Sequence, residues 1–156
     1  MARISAEERA KKKLILDGLV LSIFLEEGWG AVTYDRLAKE FGVSKSSIQN
    51  YYPSSIMFAT ALQGKVLPMV LPLLNFSSEE KFVSSWICAY EDEQHHVFRE
   101  VVEMLIDNIL KDGTSPYSRG GALKLEEMLA KNTDESSAKR AMKTVFGEVI
   151  YRKMFS

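Results

Sequence analysis

The sequence predicts an all-α protein, in which a three-helix, helix-turn-helix head is followed by a short C-terminal helical bundle. Two observations lead to this fold class. Apolar residues recur at helical intervals along most of the chain, and residues 33–52 form two short helical patterns separated by a glycine turn. The 156 residues are 46% hydrophobic and 26% charged, which is typical of a globular protein. We expect one domain over residues 1–53 and a second over residues 54–156.

The first helix is predicted over residues 5–27. Ser5 and Glu8 have the spacing of a capping box, and Gly28 is placed to end the helix. A basic cluster precedes its apolar face. Such a cluster is commonly a solvated helix end, but beside a helix-turn-helix it is also placed to reach a phosphate backbone. The cluster comprises Arg9, Lys11, Lys12 and Lys13, with Arg3 further out.

The stretch from Thr33 to Tyr52 predicts a helix-turn-helix. Thr33 and Ser44 are suitable N-caps, and Gly42 supplies the backbone conformation that ends the first of the two helices. The inward positions are apolar on both helices: Leu37, Ala38, Phe41, Ile48 and Tyr51.

The outward positions of the second helix are polar and include no acidic residue. Such side chains suit base edges and phosphates in a DNA major groove. An ordinary helical hairpin with a polar face is the alternative, but the glycine turn, the caps and the acid-free face together favour DNA binding. The outward residues are Lys45, Ser46, Ser47, Gln49 and Asn50.

The C-terminal half predicts a connecting helix and four further helices. The connecting helix covers residues 56–75 and is kinked by Pro68 and Pro72. Ser77 is expected to cap the next helix, and a second long apolar stripe ends near residue 110. Residues 113–121 contain three glycines and a proline and predict a loop. The last two helices are expected at about 122–132 and 134–155, the second capped near Asp134.

From Ile15 to about Leu62 the chain resembles the DNA-binding head of the TetR (tetracycline repressor) family of bacterial transcription regulators. The sequence departs from the family pattern at Gln49, where a tyrosine is usual, and at Ser55, where a lysine is usual. The residues that carry the resemblance are Phe24, Gly28, Trp29, Thr33, Leu37, Ala38, Gly42, Val43, Ser44, Ile48, Tyr51, Tyr52, Pro53 and Ser54.

The resemblance implies a repressor that binds a palindromic double-stranded DNA operator as a homodimer and is released by a small apolar ligand. Besides the outward residues of the second helix, the DNA contacts it implies are Thr33, Tyr34, Tyr51, Tyr52 and Ser55. Residues placed to line a ligand pocket are Trp86, Tyr90, Phe98 and Met104, although aromatic and Met side chains on helices are more often plain core. The long apolar stripe of the last helix and the family's habit of dimerising through its last two helices predict an interface at Leu125, Met142, Val145, Phe146, Val149 and Ile150.

Other features bound the function. The net charge of −1 means that any DNA affinity must come from a local patch. The single cysteine, Cys88, is expected to be a buried thiol, and with the absence of an N-terminal apolar segment it predicts a cytoplasmic protein without a membrane span. His95 and His96 are adjacent and cannot share a helix face, so no metal or other cofactor is predicted.

No enzyme motif is present, and we predict that the protein is not an enzyme. Two alternatives stay open. One is a module with the same head that is regulated by a protein partner. The other, with little support, is a small helical enzyme using His95 or Cys88.

Overall fold

The computed structural model describes residues 4–156, and within this range it contains α-helices and short 3-10 segments but no β-strand. The prediction of an all-α fold is therefore confirmed. The α-helices are α1 (Ala6–Glu27), α2 (Tyr34–Phe41), α3 (Lys45–Tyr51), α4 (Leu67–Val70), α5 (Glu79–Glu91), α6 (His96–Asp112), α7 (Pro116–Asn132) and α8 (Glu135–Lys153). The 3-10 segments are Trp29–Ala31, Ser55–Leu62, Leu71–Leu73 and Glu93–His95.

The chain divides into two compact units, a head that ends at Gly64 and a body that comprises Lys65–Ser156. The sequence placed the division after residue 53. The difference arises because the 3-10 segment Ser55–Leu62 packs on α1 and buries Phe58 and Leu62 in the head. The connecting helix expected over residues 56–75 is also replaced by three short pieces, Ser55–Leu62, α4 and Leu71–Leu73.

The helices of the head begin and end at residues suited to those positions. The hydroxyls of Ser5, Thr33 and Ser44 each accept a hydrogen bond from a backbone amide three residues later, which satisfies one free donor of each helix start. Gly42 ends α2 in the left-handed conformation, with φ of 74°. The turn between α2 and α3 therefore has the predicted chemistry. The buried core beneath it includes Leu16, Val20, Phe24, Leu37 and Ile48.

In the body, α5 packs on α8, α8 on α7, and α7 on α6. Phe82, Leu129 and Val145 are completely buried in this bundle. At the surface, Arg140 of α8 donates two hydrogen bonds to the carboxylate of Glu79 on α5, at 2.6 and 2.7 Å. The guanidinium holds the pKa of Glu79 below its usual value. This exposed pair orients α8 on α5.

Three expectations for the body are wrong. Residues 116–121 are helical rather than a loop, because Ser115 caps α7 and Pro116 occupies its first position, where its missing N–H is not needed. The cap of α5 is Ser78 rather than Ser77, since the Ser78 hydroxyl accepts from the amide of Lys81. Cys88 lies on the exposed side of α5 and is not a buried thiol.

Among residues 4–156, no single helix is long and apolar enough to cross a membrane; the broken pair Ser55–Leu62 and Leu67–Leu73 passes on length and composition only.

Alanine substitution at two glycines of the head is expected to have opposite effects. Gly42→Ala forces a side chain into the left-handed region and lowers the free energy of unfolding by about 1–2 kcal/mol. Gly18→Ala lies within α1, where an added Cβ meets no atom within 4 Å, and raises it by about 0.5–1 kcal/mol. Denaturant unfolding of both variants checks this. Effects of the same sign would contradict the described turn.

Candidate nucleic-acid interface

Helices α2 and α3 present the predicted polar face to solvent. Lys45, Ser46, Gln49 and Asn50 are exposed and Ser47 is half-buried, whereas Ile48 of the same helix is completely buried. One side of α3 therefore anchors the helix in the head, and the opposite side is open to a ligand of the size of a DNA groove.

Near the start of α3, three serine hydroxyls lie close together. The Ser44 hydroxyl is 3.1 Å from that of Ser46 and 2.9 Å from that of Ser47. The ammonium group of Lys45 lies 3.6 Å from the carboxylate of Asp35 on α2, and this lysine side chain is 54% exposed. A solvent-exposed pair of this kind is weak and can be exchanged for a phosphate. The outward face thus offers hydroxyl, amide and ammonium groups.

Two of the predicted DNA-contacting tyrosines are used within the head. Tyr52 is completely buried, and its hydroxyl donates a hydrogen bond of 2.5 Å to Asp17 of α1. Burial, and then this hydrogen bond, raises the pKa of Tyr52. The prediction that Tyr52 contacts the DNA backbone is therefore wrong, because no part of its side chain reaches the surface.

Tyr34 has a similar internal role. Its hydroxyl donates to the backbone carbonyl of Tyr52 at 2.6 Å, and its ring packs on Phe58 with centroids 4.9 Å apart. Its only hydroxyl proton is already used, so in this arrangement it is not available to a phosphate oxygen. Thr33 is exposed, and Tyr51 and Ser55 are half-buried.

The basic residues of α1 divide into two groups. Lys11 pairs weakly with Glu7 at the exposed side of the helix, and Lys12 is exposed as well. Arg9 donates to the backbone carbonyl of Asn50 at 2.8 Å, and Lys13 pairs with Asp17. Part of the predicted phosphate-binding cluster is thus directed at the end of α3.

Helix α2 is fixed by an arginine with two acidic partners. Arg36 donates to both carboxylate oxygens of Glu27, at 2.9 and 2.6 Å, and to Glu40 at 3.0 Å. The hydrogen bond from Arg36 lowers the pKa of Glu27, and the two carboxylates raise the pKa of Arg36. These contacts connect α2 to the end of α1.

The residues predicted to line a ligand pocket are all buried in the body. Trp86 packs edge-on against Phe98, with ring centroids 5.2 Å apart, while for Tyr90 and Met104 the structure shows burial only. The indole Nε1 of Trp86 is buried and has no hydrogen-bond partner. A buried donor of this kind is uncommon and is a natural contact for an acceptor atom of a ligand.

Most residues predicted for the dimer interface belong to the protomer's own core. Leu125, Met142, Val145 and Val149 are buried within the body, and Phe146 contacts the ring of Trp86 with centroids 5.9 Å apart. These five expectations are corrected, because an apolar stripe on a helix fits an internal core as well as an interface. Of the six predicted residues, Ile150 alone is exposed, with 52% of its surface accessible.

The sequence reasoning missed a buried polar pair in the body. Asn108 of α6 and Ser118 of α7 are almost completely buried, and neither the Asn108 Oδ1 nor the Ser118 Oγ has a hydrogen-bond partner. Asn108 continues the apolar spacing of Val101 and Leu105, so a polar residue in that stripe was the available signal. Ser118 could not be found because its segment was expected to be a loop.

The fold and the exposed face define an all-helical protein with a helix-turn-helix head. A family model described as the tetracycline repressor LuxT C-terminal domain matches residues 63–152, which is more than half of the chain. The chain belongs to the tetracycline repressor family, and this places it among transcriptional regulators, a class that is generally not enzymatic. The predicted family is thus confirmed by residues outside the segment that carried the resemblance. A search of curated proteins found no match.

Proposed function

We propose that the protein is a cytoplasmic, homodimeric repressor that binds a palindromic DNA operator through α3 and is released by a small apolar ligand. The observation that carries the DNA-binding part is the outward face of α3, which is exposed and free of acidic side chains in a member of a regulator family. In the proposed complex the outward face enters the major groove. There Gln49 is suited to adenine, since its amide can donate and accept at the same base.

The phosphate contacts of this proposal come from the edges of the same surface. Thr33, Tyr51 and Ser55 are sufficiently accessible to donate to backbone oxygens, and Lys45 contributes a charge. Such contacts fix the register of the protein on DNA without specifying sequence. Tyr34 and Tyr52 are excluded from this set because their hydroxyls are used within the head.

Selection from genomic DNA fragments tests the proposal. The purified wild type is expected to enrich a palindrome, whereas a Gln49→Ala, Asn50→Ala double variant keeps weak binding but loses sequence preference, because the base contacts are removed and the phosphate contacts remain. Lys131→Met, an exposed change in the body, is the control and keeps the wild-type preference.

If the wild type enriches no sequence at low or moderate salt, the DNA-binding proposal fails. Regulation by a protein partner would then be the better account of the head.

The dimer is proposed to form through the outward faces of α7 and α8. These helices are joined by a short turn and therefore run antiparallel. Gly120 and Gly147 lie on their exposed sides, where an added Cβ would meet no atom within 4 Å. Around them the helices expose apolar side chains to an extent that favours burial by a second copy. These are Tyr117, Leu123, Ile150, Tyr151 and Met154.

Ile150→Glu is expected to convert the dimer to a monomer, because it places a charge in the proposed apolar contact. Light scattering on an eluted peak should change from twice the 17.6 kDa chain mass to the single-chain value. Leu110→Glu is the matched control, since Leu110 is 79% exposed but lies on α6, and this variant stays dimeric. A monomeric wild type, or a dimeric Ile150→Glu variant, would contradict the proposed interface.

The ligand is proposed to bind beside Trp86 in the body and to offer an acceptor atom to the indole Nε1. The rings of Phe98 and Phe146, which contact Trp86, make this surrounding largely apolar. A carbonyl or ether group on an otherwise apolar molecule has the required chemistry.

Screening small apolar carbonyl compounds by tryptophan fluorescence tests this site. A true ligand shifts the emission of the wild type and of Trp29→Phe, but not that of Trp86→Phe, because the latter retains only Trp29 in the head. It should also weaken operator binding. A ligand that changes operator binding equally in the wild type and Trp86→Phe would place the site elsewhere.

A further inference from the structure

Three residues of α1 form one stripe directed at the C-terminal end of α3. Arg9, Lys13 and Asp17 are spaced four residues apart, so they lie on the same face of the helix. Each of them contacts the segment Asn50–Tyr52. We call Arg9, Lys13, Asp17 and their partner Tyr52 the α1 clamp.

The Arg9 side chain closes the end of α3. Its guanidinium donates to the carbonyl of Asn50, one of the carbonyls that the end of a helix leaves without an intrahelical partner, and lies 4.5 Å from the ring centre of Tyr51. A cation at a helix C-terminus is also favoured by the helix dipole. Arg9 therefore satisfies a carbonyl and holds an aromatic side chain at the same place.

Lys13, Asp17 and Tyr52 form a connected group beside it. The Tyr52 hydroxyl and the Lys13 ammonium both contact the same oxygen, Oδ1 of Asp17. The ammonium group also lies 4.2 Å from the centre of the Tyr52 ring. From the other side, Tyr34 of α2 donates to the Tyr52 carbonyl. The backbone at the end of α3 is thus held by both other helices of the head.

The side chains of the clamp are poorly placed to bind DNA themselves. Tyr52 has no exposed surface, and the Lys13 side chain is 31% exposed. Moving Lys13 to a phosphate would leave the carboxylate of Asp17, itself 22% exposed, without its cation, which is costly at a partly buried site. The charges of the clamp are balanced inside the head rather than offered to a polyanion.

We propose that Arg9, Lys13, Asp17 and Tyr52 are positioning residues, which set the orientation of α3 for DNA without contacting it. The inference rests on the proposed DNA-binding function. It distinguishes the α1 residues that hold the recognition helix from those, such as Lys12, that remain exposed on the same helix.

The salt dependence of operator binding separates positioning from phosphate contact. Each phosphate contact adds about 0.9 to the slope of log K against log salt concentration, whereas a positioning residue adds nothing. Lys13→Met, Asp17→Asn and Tyr52→Phe are each expected to weaken binding, by roughly three- to tenfold, with an unchanged slope. Lys13→Arg, which keeps a cation over Tyr52, recovers most of the affinity lost in Lys13→Met.

Lys45→Met is the comparison for a direct contact, and it should lower the slope by about 0.9. Lys131→Met, in the body, should change neither affinity nor slope. A fall of about 0.9 in the slope of Lys13→Met would show that Lys13 contacts a phosphate and would overturn the proposal, as would unchanged affinity in all three clamp variants.

Hydrogen exchange on the protein without DNA keeps the inference separate from the proposed function. Asp17→Asn and Tyr52→Phe should speed exchange of the α3 amides near Tyr52, while amides of α8 exchange as in the wild type. If the wild type fails to bind DNA but α3 exchange rises in these variants, the proposed function is wrong and the clamp still holds α3. Unchanged α3 exchange would refute the clamp whatever the DNA result.

Discussion

The function proposed for the head depends on how a helix of seven residues is held. A helix as short as α3 is not stable alone in water, so its conformation and direction come from its surroundings. Ile48 and Tyr52 anchor it through burial, the Ser44 hydroxyl satisfies its N-terminus, and Arg9 satisfies a carbonyl at its C-terminus. The left-handed Gly42 sets the direction in which the chain leaves α2. The polar outward face is useful for recognition only because these contacts fix it.

The same contacts explain how a protein with a net charge of −1 can carry a nucleic-acid surface. Charges that stabilise the head are paired locally, as in the group formed by Arg36, Glu27 and Glu40 and in the α1 clamp. The outward face of α3 carries no acid, so the attraction to DNA depends on a small area rather than on the field of the whole molecule. In the body, by contrast, the features that await a partner are a buried indole donor and an exposed apolar strip on α7 and α8.

Sequence reasoning succeeded where local chemistry decides the structure. The caps Thr33, Ser44 and Asp134 and the turn at Gly42 follow from backbone and side-chain preferences that act within a few residues. It failed where tertiary packing decides. Periodicity cannot tell whether Val145 faces its own core or a second copy, nor that Tyr52 is more deeply buried than Tyr51. The glycines after Pro116 suggested a loop, but the cap at Ser115 and packing on α6, where Gly121 lies against Leu105, support a helix. The clamp was missed because Asp17 was not connected with residues far along the chain.

Mapping of amide chemical shifts tests the central claim most directly. The labelled protein would be titrated with its selected duplex and with a scrambled duplex of the same composition. The account predicts that the selected duplex perturbs the amides of residues 45–50 and those near Thr33 most strongly, and that the scrambled duplex gives smaller, salt-sensitive changes near the same surface. Perturbations confined to the body, or spread over the head without a maximum on α3, would contradict the claim that this helix reads DNA.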